Sequence, residues 1–152
     1  MAVEQDLKSM GYNLPPVAKP VASYVPAVRT GNLVFVSGQL PTESGQLKWR
    51  GQVGDEVSED DAYDAARVAA LNALAALSAE IGSLDSVRRI VRVTGYVSSI
   101  DGFTNQSVVV DGASDFLVKL FGDKGHHARV AVGVAQLPLD APVEIELIAE
   151  VG

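Results

Sequence analysis

Two clusters in this 152-residue chain have side chains and spacing suited to chemistry. Arg129 heads the apolar run "ARVAVGVAQLP", and Glu144 and Glu146 alternate with Val143, Ile145 and Leu147 in "VEIELIAEV". In a strand beginning near Ala128, Arg129 shares its face with Ala131, Gly133 and Ala135, while Val130, Val132 and Val134 fill the other. A cation above a floor of small side chains leaves room for a small ligand or for a neighbouring subunit's backbone. Alternation also sets Glu144 and Glu146 on one common face. Other chemistries find less support. His126 and His127 are adjacent, so a strand points them to opposite faces, and no third ligand is patterned nearby; no metal site is expected. The serines of "SGQLPTESG" have no patterned His and Asp partners, and with no cysteine there is no thiol nucleophile, thiolate ligand or disulfide.

The elements that must position these groups can be read along the chain. Residues 1–21 carry Pro15, Pro16 and Pro20, which bias the backbone towards extended geometry, so this segment is expected to be an arm. Gly31-Asn32 between alternating apolar runs marks a β-hairpin with strands near 24–29 and 33–38. The glycine-rich stretch "TESGQLKWRGQVGDEV" reads as an exposed loop. A helix follows, with Ser58 as N-cap, acids in its first turn and Gly82 just past its end. Ala62, Ala66, Ala69, Ala73, Leu77 and Ile81 recur at helical spacing, so a small-residue face can lie close on a sheet. "VRRIVRVTGYVSS" reads as a strand and "NQSVVVDGASDFLVKLFGDKG" as a second helix whose Asp111-Gly112 pair weakens or offsets its start. Two further strands, joined by a turn at 138–142, complete the order β-β-α-β-α-β-β. That order predicts a single α+β domain over residues 1–152, with two helices on one face of a mixed sheet.

If the last two strands form an antiparallel hairpin about that turn, Glu144 lies opposite residue 136, on the order of 23 Å from Arg129 at ~3.3 Å per residue. The two groups then serve one site only if it lies between subunits. The strand "LVFVSG" points the same way: Leu33 and Phe35 face one side and Val34 and Val36 the other, so it is apolar on both faces. With helices over one face, another copy of the chain is the natural cover for the second.

Bulk properties narrow the field. The formal charge of −7 repels polyanions, and the one basic cluster, "SVRRIVR", lies on alternating strand positions, so no nucleic acid partner is expected. No stretch approaches the roughly 20 apolar residues of a membrane span, and "MAVEQDLKSMGYN" lacks a basic segment followed by an apolar run. The expectation is a cytoplasmic protein without a membrane partner.

"ARVAVGVAQLPLDAPVEIELIA", with "YVPAVRTGNLVFVSGQLP" and the elements between them, resembles the Rid/YjgF family of reactive-intermediate (enamine/imine) deaminases over most of residues 22–150. The resemblance implies a chorismate-mutase-like fold, a homotrimer and small-molecule clefts between subunits, with no cofactor. It matches Arg129 to the arginine that binds a substrate carboxylate and Glu144 to the acid near the attacking water. Tyr24 matches the aromatic residue at the site, and Ser37 and Gly38 the strand-end pair that contacts the ligand. Ala131 stands where the family often has cysteine, leaving its backbone N–H available. Ser114 and Asp111 are both candidates for the family's helix asparagine, and the 40–56 loop and N-terminal arm are longer than in compact members. The implied activity is hydrolysis of small 2-imino acids of the 2-aminoacrylate type to 2-keto acids and ammonia. A trimer that binds a small carboxylate without turnover is the alternative. Ribonuclease activity, ascribed to some members, fits poorly with the acidic charge and the lack of a catalytic histidine pair.

Overall fold

A computed structural model describes residues 2–20 and 22–152. The hairpin about Gly31-Asn32 forms as its sequence predicts, from β1 (Ala27–Thr30) and β2 (Leu33–Gln39), with Gly31 at a φ of 57°. The expected loop is more ordered than its glycines suggest. It contains a two-stranded ribbon of β3 (Thr42–Glu43) and β4 (Gln46–Leu47), and Val53 is fully buried.

Two helices cover one face of the sheet. The expected arm also carries a third: α1 (Ala2–Ser9) is helical and buries Leu7. Its first amides donate to the Asp85 carboxylate, Ala2 at 3.0 Å and Val3 at 2.9 Å, a cap supplied from far along the chain. Beyond it the extended segment holds its course partly through Tyr12, stacked edge-on against Phe116 with ring centroids 5.6 Å apart.

In α2 (Glu59–Ile81) the Ser58 hydroxyl accepts from the Asp61 N–H at 3.1 Å, and Gly82 closes the end with φ 88°. Ala62, Ala66, Ala69, Ala73 and Leu77 are all fully buried, as their spacing predicts. The second covering helix is α3 (Gln106–Phe121). Gly112 lies inside it rather than at an offset start, for a packing reason. A Cβ there would stand 2.8 Å from the Tyr63 carbonyl carbon, so only glycine lets α3 lie this close to α2.

Strand order departs from expectation at the C-terminus. With β5 (Val87–Ser98), β6 (Ala128–Val134) and β7 (Val143–Val151), the sheet runs β1-β2-β7-β5-β6. β6 and β7 do not form the expected hairpin, because β5 lies between them, parallel to β6 and antiparallel to β7. The parallel pair follows from the helical crossover through α3. β7 instead takes the centre of the sheet, where Val143, Ile145, Leu147, Ala149 and Val151 alternate into the core.

The opposite face has no helix over it. Register places Val28, Leu33 and Phe35 there with Val130 and Val132, and Phe35 remains 43% exposed. The alternation read from "LVFVSG" holds, since Val34 and Val36 are buried under α2.

Candidate functional site

The predicted site residues fall into two separate groups, each a candidate half-site. Glu144 belongs to the first. It enters β7 just after a single turn, Pro138–Asp140, in which Leu139 and Asp140 adopt φ of 59° and 61°. That left-handed geometry is costly for leucine and needs bracing. The 40–56 loop supplies it: Arg50 Nη1 donates to the Leu139 carbonyl at 3.0 Å and the Gly51 N–H to the Asp140 carbonyl at 2.8 Å.

Across from this turn, β2 bulges between Val36 and Gln39 and brings Gly38 against the Glu144 side chain. Burial, and secondarily the charge of Glu146, raises the Glu144 carboxyl above its ordinary value. The Tyr96 hydroxyl donates to Glu146 Oε1 at 2.5 Å, and that bond, more than burial, pushes the phenol up to about 12. Glu146 is thereby held beside Glu144 while its charge acts on it.

Tyr24, Gly38 and Glu144 open onto one cavity of about 480 Å³. Its other walls are the proline-rich stretch 15–20, the β2–β3 connection and Leu139; Lys19 brings a cation to the rim. Asn72, almost fully buried on α2, fixes the connection by donating to the Leu40 and Thr42 carbonyls, both at 2.9 Å. Ser37 is placed differently. Its hydroxyl donates to the Val25 carbonyl at 2.6 Å and its N–H to that of Pro26 at 2.9 Å, so it anchors the segment carrying Tyr24 instead of lining the cavity.

Arg129 belongs to the second half-site, on the helix-covered face. Its Nη1 donates to Asp111 Oδ1 at 2.7 Å and Ser114 Oγ at 3.2 Å, and its Nη2 to the Ser107 carbonyl at 3.3 Å. Both candidates for the helix position therefore converge on the arginine. The relay continues into His127, whose Nδ1 lies 2.6 Å from the Gly125 carbonyl and whose Nε2 lies 2.8 Å from Ser114 Oγ. A carbonyl only accepts, so Nδ1 carries the proton and Nε2 accepts from the serine. Burial, the main influence on it, pulls His127 below its usual value and favours this neutral form. The small-residue floor read from sequence is present, but α3 stands above it. Ala131 lies beside Gly95, which has no space for a Cβ under Val110, and Gly133 lies under the Gln106 amide.

The half-sites do not meet within one chain, though not for the reason a terminal hairpin would give. Arg129 aligns through Val93 with Leu147, both buried on the helix side; Glu144 aligns through Tyr96 with Val132, on the open side. Two strand spacings and three residues separate their Cα atoms by about 14 Å, with side chains on opposite faces. Asp111 as the arginine's own counter-ion, and the proline-rich wall of the Glu144 cavity, were not assigned from sequence. The prolines signalled an extended path but not its destination. Among the described residues no group of three His, Asp or Glu side chains could hold a metal ion, and no helix is long and apolar enough to cross a membrane.

A mixed sheet with β7 at its centre, helices over one face and a two-part polar site defines a chorismate-mutase-like α+β protein. The family described as "YjgF/chorismate_mutase-like, putative endoribonuclease" matches residues 4–151, and the chain belongs to this Rid/YjgF family. It is 41% identical over 149 residues to Protein TCP17 of Trypanosoma cruzi, covering 97% of this chain and 93% of that one. The crystal structure of Atu1372 from Agrobacterium tumefaciens, a protein of unknown function, superposes with a TM-score of 0.92 at 44% identity over 99% of this chain and 92% of its own. RidA from an Antarctic Psychrobacter superposes with a TM-score of 0.63 at 28% identity, over 89% and 94% of the two chains.

Proposed function

We propose that this protein hydrolyses small 2-imino acids of the 2-aminoacrylate type to 2-keto acids and ammonia, in clefts between the subunits of a homotrimer. The observation that carries this reading is the division of the site. Arg129 stands on the edge strand β6 and faces α3, whereas Glu144, on the opposite face of the sheet, opens onto a separate cavity. Apposing the β6 edge of one copy to the Glu144 cavity of the next lets both address one ligand. It also covers the apolar strip that includes Phe35 and Val132.

The enamine CH2=C(NH2)–COO⁻ tautomerises to the imine CH3–C(=NH)–COO⁻. Arg129 holds the carboxylate through its guanidinium and so fixes the imine carbon. Water, held by Glu144, adds to that carbon as the carboxylate accepts its proton. Tyr24 lines the same cavity and orients the reacting group. Glu144 passes the proton taken from water to the nitrogen, giving the neutral carbinolamine. It then takes the hydroxyl proton and delivers it to the nitrogen, so the C–N bond breaks, ammonia leaves and the C–O bond becomes the carbonyl of the 2-keto acid. A carboxyl raised by burial suits both transfers, because it holds a proton more readily than an exposed glutamate does. No step calls for a cofactor.

A second reading, a trimer that binds a small carboxylate without turnover, is favoured by Ala131 at the frequent cysteine position and by the intrachain pairing of Arg129 with Asp111. Release of ammonia and 2-keto acid from freshly generated 2-aminoacrylate separates the two. Acceleration by the wild type that is lost in Arg129→Ala supports the deaminase. A folded, oligomeric wild type that binds without acceleration leaves the binding reading in place.

A further inference from the structure

We infer that the proline-walled cavity beside Glu144 is a pocket for an aromatic ring, so that the substrate is a 2-imino acid with an arylmethyl side chain, and that the strap of residues 15–20 determines this specificity. The inference rests on the proposed reading in taking Glu144 as the reacting end of the cavity, and it adds the side chain that the site selects. Size is the first argument. At about 30 Å³ per non-hydrogen atom, the share of one water molecule in the liquid, the six such atoms of 2-aminoacrylate take up roughly 180 Å³ and the twelve of its 3-phenyl analogue roughly 360 Å³. The cavity holds about 480 Å³, so the smaller molecule leaves most of it to water against apolar walls.

The walls are the second argument. Of the chain's seven prolines, five line this cavity: Pro15, Pro16 and Pro20 on the strap, Pro26 ahead of β1 and Pro138 in the turn before β7. Proline rings lie against aromatic faces with little flexibility to lose, the pairing by which proline-rich segments dock in aromatic grooves. Here the protein supplies the prolines. Val17 and Leu139 add apolar surface to the same walls while remaining 37% and 54% exposed, as expected of a groove that awaits a guest. Among the described residues only Glu144 and Lys19 bring charge to the cavity, so the rest of its lining favours an apolar group. The strap is also held in place before a ligand arrives. Its anchor is α1, where Glu4 Oε1 accepts from the Leu84 N–H at 2.9 Å while Asp85 accepts from the first amides of the helix. Between anchor and strap, the Arg67 guanidinium lies 5.5 Å from the centroid of the Tyr12 ring. A wall built in advance spares the ligand the cost of ordering it.

The test is equilibrium binding of three 2-keto acids that differ only in side chain, pyruvate, 4-methyl-2-oxopentanoate and phenylpyruvate, to the assembled wild-type protein and to Ala18→Trp. Ala18 lies on the strap and lines the cavity, so an indole there takes the space of the ring. The wild type is expected to bind phenylpyruvate at least tenfold more tightly than pyruvate, equivalent to about 1.4 kcal/mol, and more tightly than the branched acid. Ala18→Trp is expected to weaken phenylpyruvate more than pyruvate and so to remove the preference. A wild type that binds pyruvate or the branched acid as tightly as phenylpyruvate, or a folded Ala18→Trp with its preference unchanged, overturns the inference. The wild-type ratios decide the matter even if the variant does not fold. Binding is read without turnover, so a preference for the ring without hydrolysis of any imino acid sinks only the deaminase reading, and hydrolysis without that preference sinks only this one.

Discussion

Replacing Gly38 with alanine should separate the position of Glu144 from the stability of the fold. A Cβ at residue 38 would stand 2.9 Å from Glu144 Cδ and 3.1 Å from its Cγ, with Oε2 nearer still. Carbon atoms pack at about 3.5 Å or more, so the carboxylate must retreat by about 1 Å. In the proposed reaction the attacking water moves with it, and a misplacement of about 1 Å at a reacting centre costs on the order of 100-fold in rate, or about 2.7 kcal/mol in the barrier. Folding should suffer little. The obstructing group is the end of a flexible side chain, and Gly38 does not occupy the left-handed region. Alanine also lowers the entropy of the unfolded chain, so net stability should change by less than about 1 kcal/mol. Ammonia release gives kcat, and urea unfolding gives the stability change. A folded variant with undiminished kcat would refute the role of the Glu144 position. A loss of several kcal/mol would refute the view that its side chain can yield.

Gly112→Ala should do the reverse. Its Cβ meets the rigid Tyr63 carbonyl, so the usual gain of about 1 kcal/mol for replacing a helical glycine turns into an overpacking loss of about 1–3 kcal/mol, visible as a lower urea midpoint. Glu146→Gln removes the charge that secondarily raises Glu144, so the acidic limb of the kcat/KM profile should move to lower pH. Glu144 also makes a signed prediction for stability. Its native value lies above that of an ordinary glutamate, so the folded protein holds the proton more tightly, and stability falls as pH rises from the ordinary value through the native one. Unfolding measured across that range should show the wild type losing ground to Glu144→Gln as pH rises.

Local patterns in the sequence were legible where the physics is local. Ser58, Gly82 and the alanine face define α2 because caps and spacing act within a few residues, and Gly31-Asn32 defines the first hairpin similarly. Strand order was harder to read. The short link between β6 and β7 suggests neighbours, but Pro138 and the left-handed Leu139 and Asp140 carry the chain past β5. The strand–helix–strand order of β5, α3 and β6 already implied a parallel pair and was the better guide. α1 has one fully buried side chain, Leu7, and takes its cap from Asp85, more than 80 residues away, so local pattern could not mark it. Of the site, Arg129 and Glu144 stood out by their places on alternating strands. The Asp111 contact depends on how α3 is rotated over β6, which the Asp111-Gly112 pair conceals: glycine there serves the α2 contact, not the end of a helix.

The central claim is one hydrolytic site built from two subunits. Arg129→Ala and Glu144→Ala, each inactive alone, should be mixed, dissociated, reassembled and assayed for ammonia release. In verified mixed oligomers the account predicts that some activity returns, because a cleft joining the intact Arg129 of one copy to the intact Glu144 of the next is complete. Verified mixed oligomers with no activity, beside a wild type that regains its own after the same treatment, would contradict it.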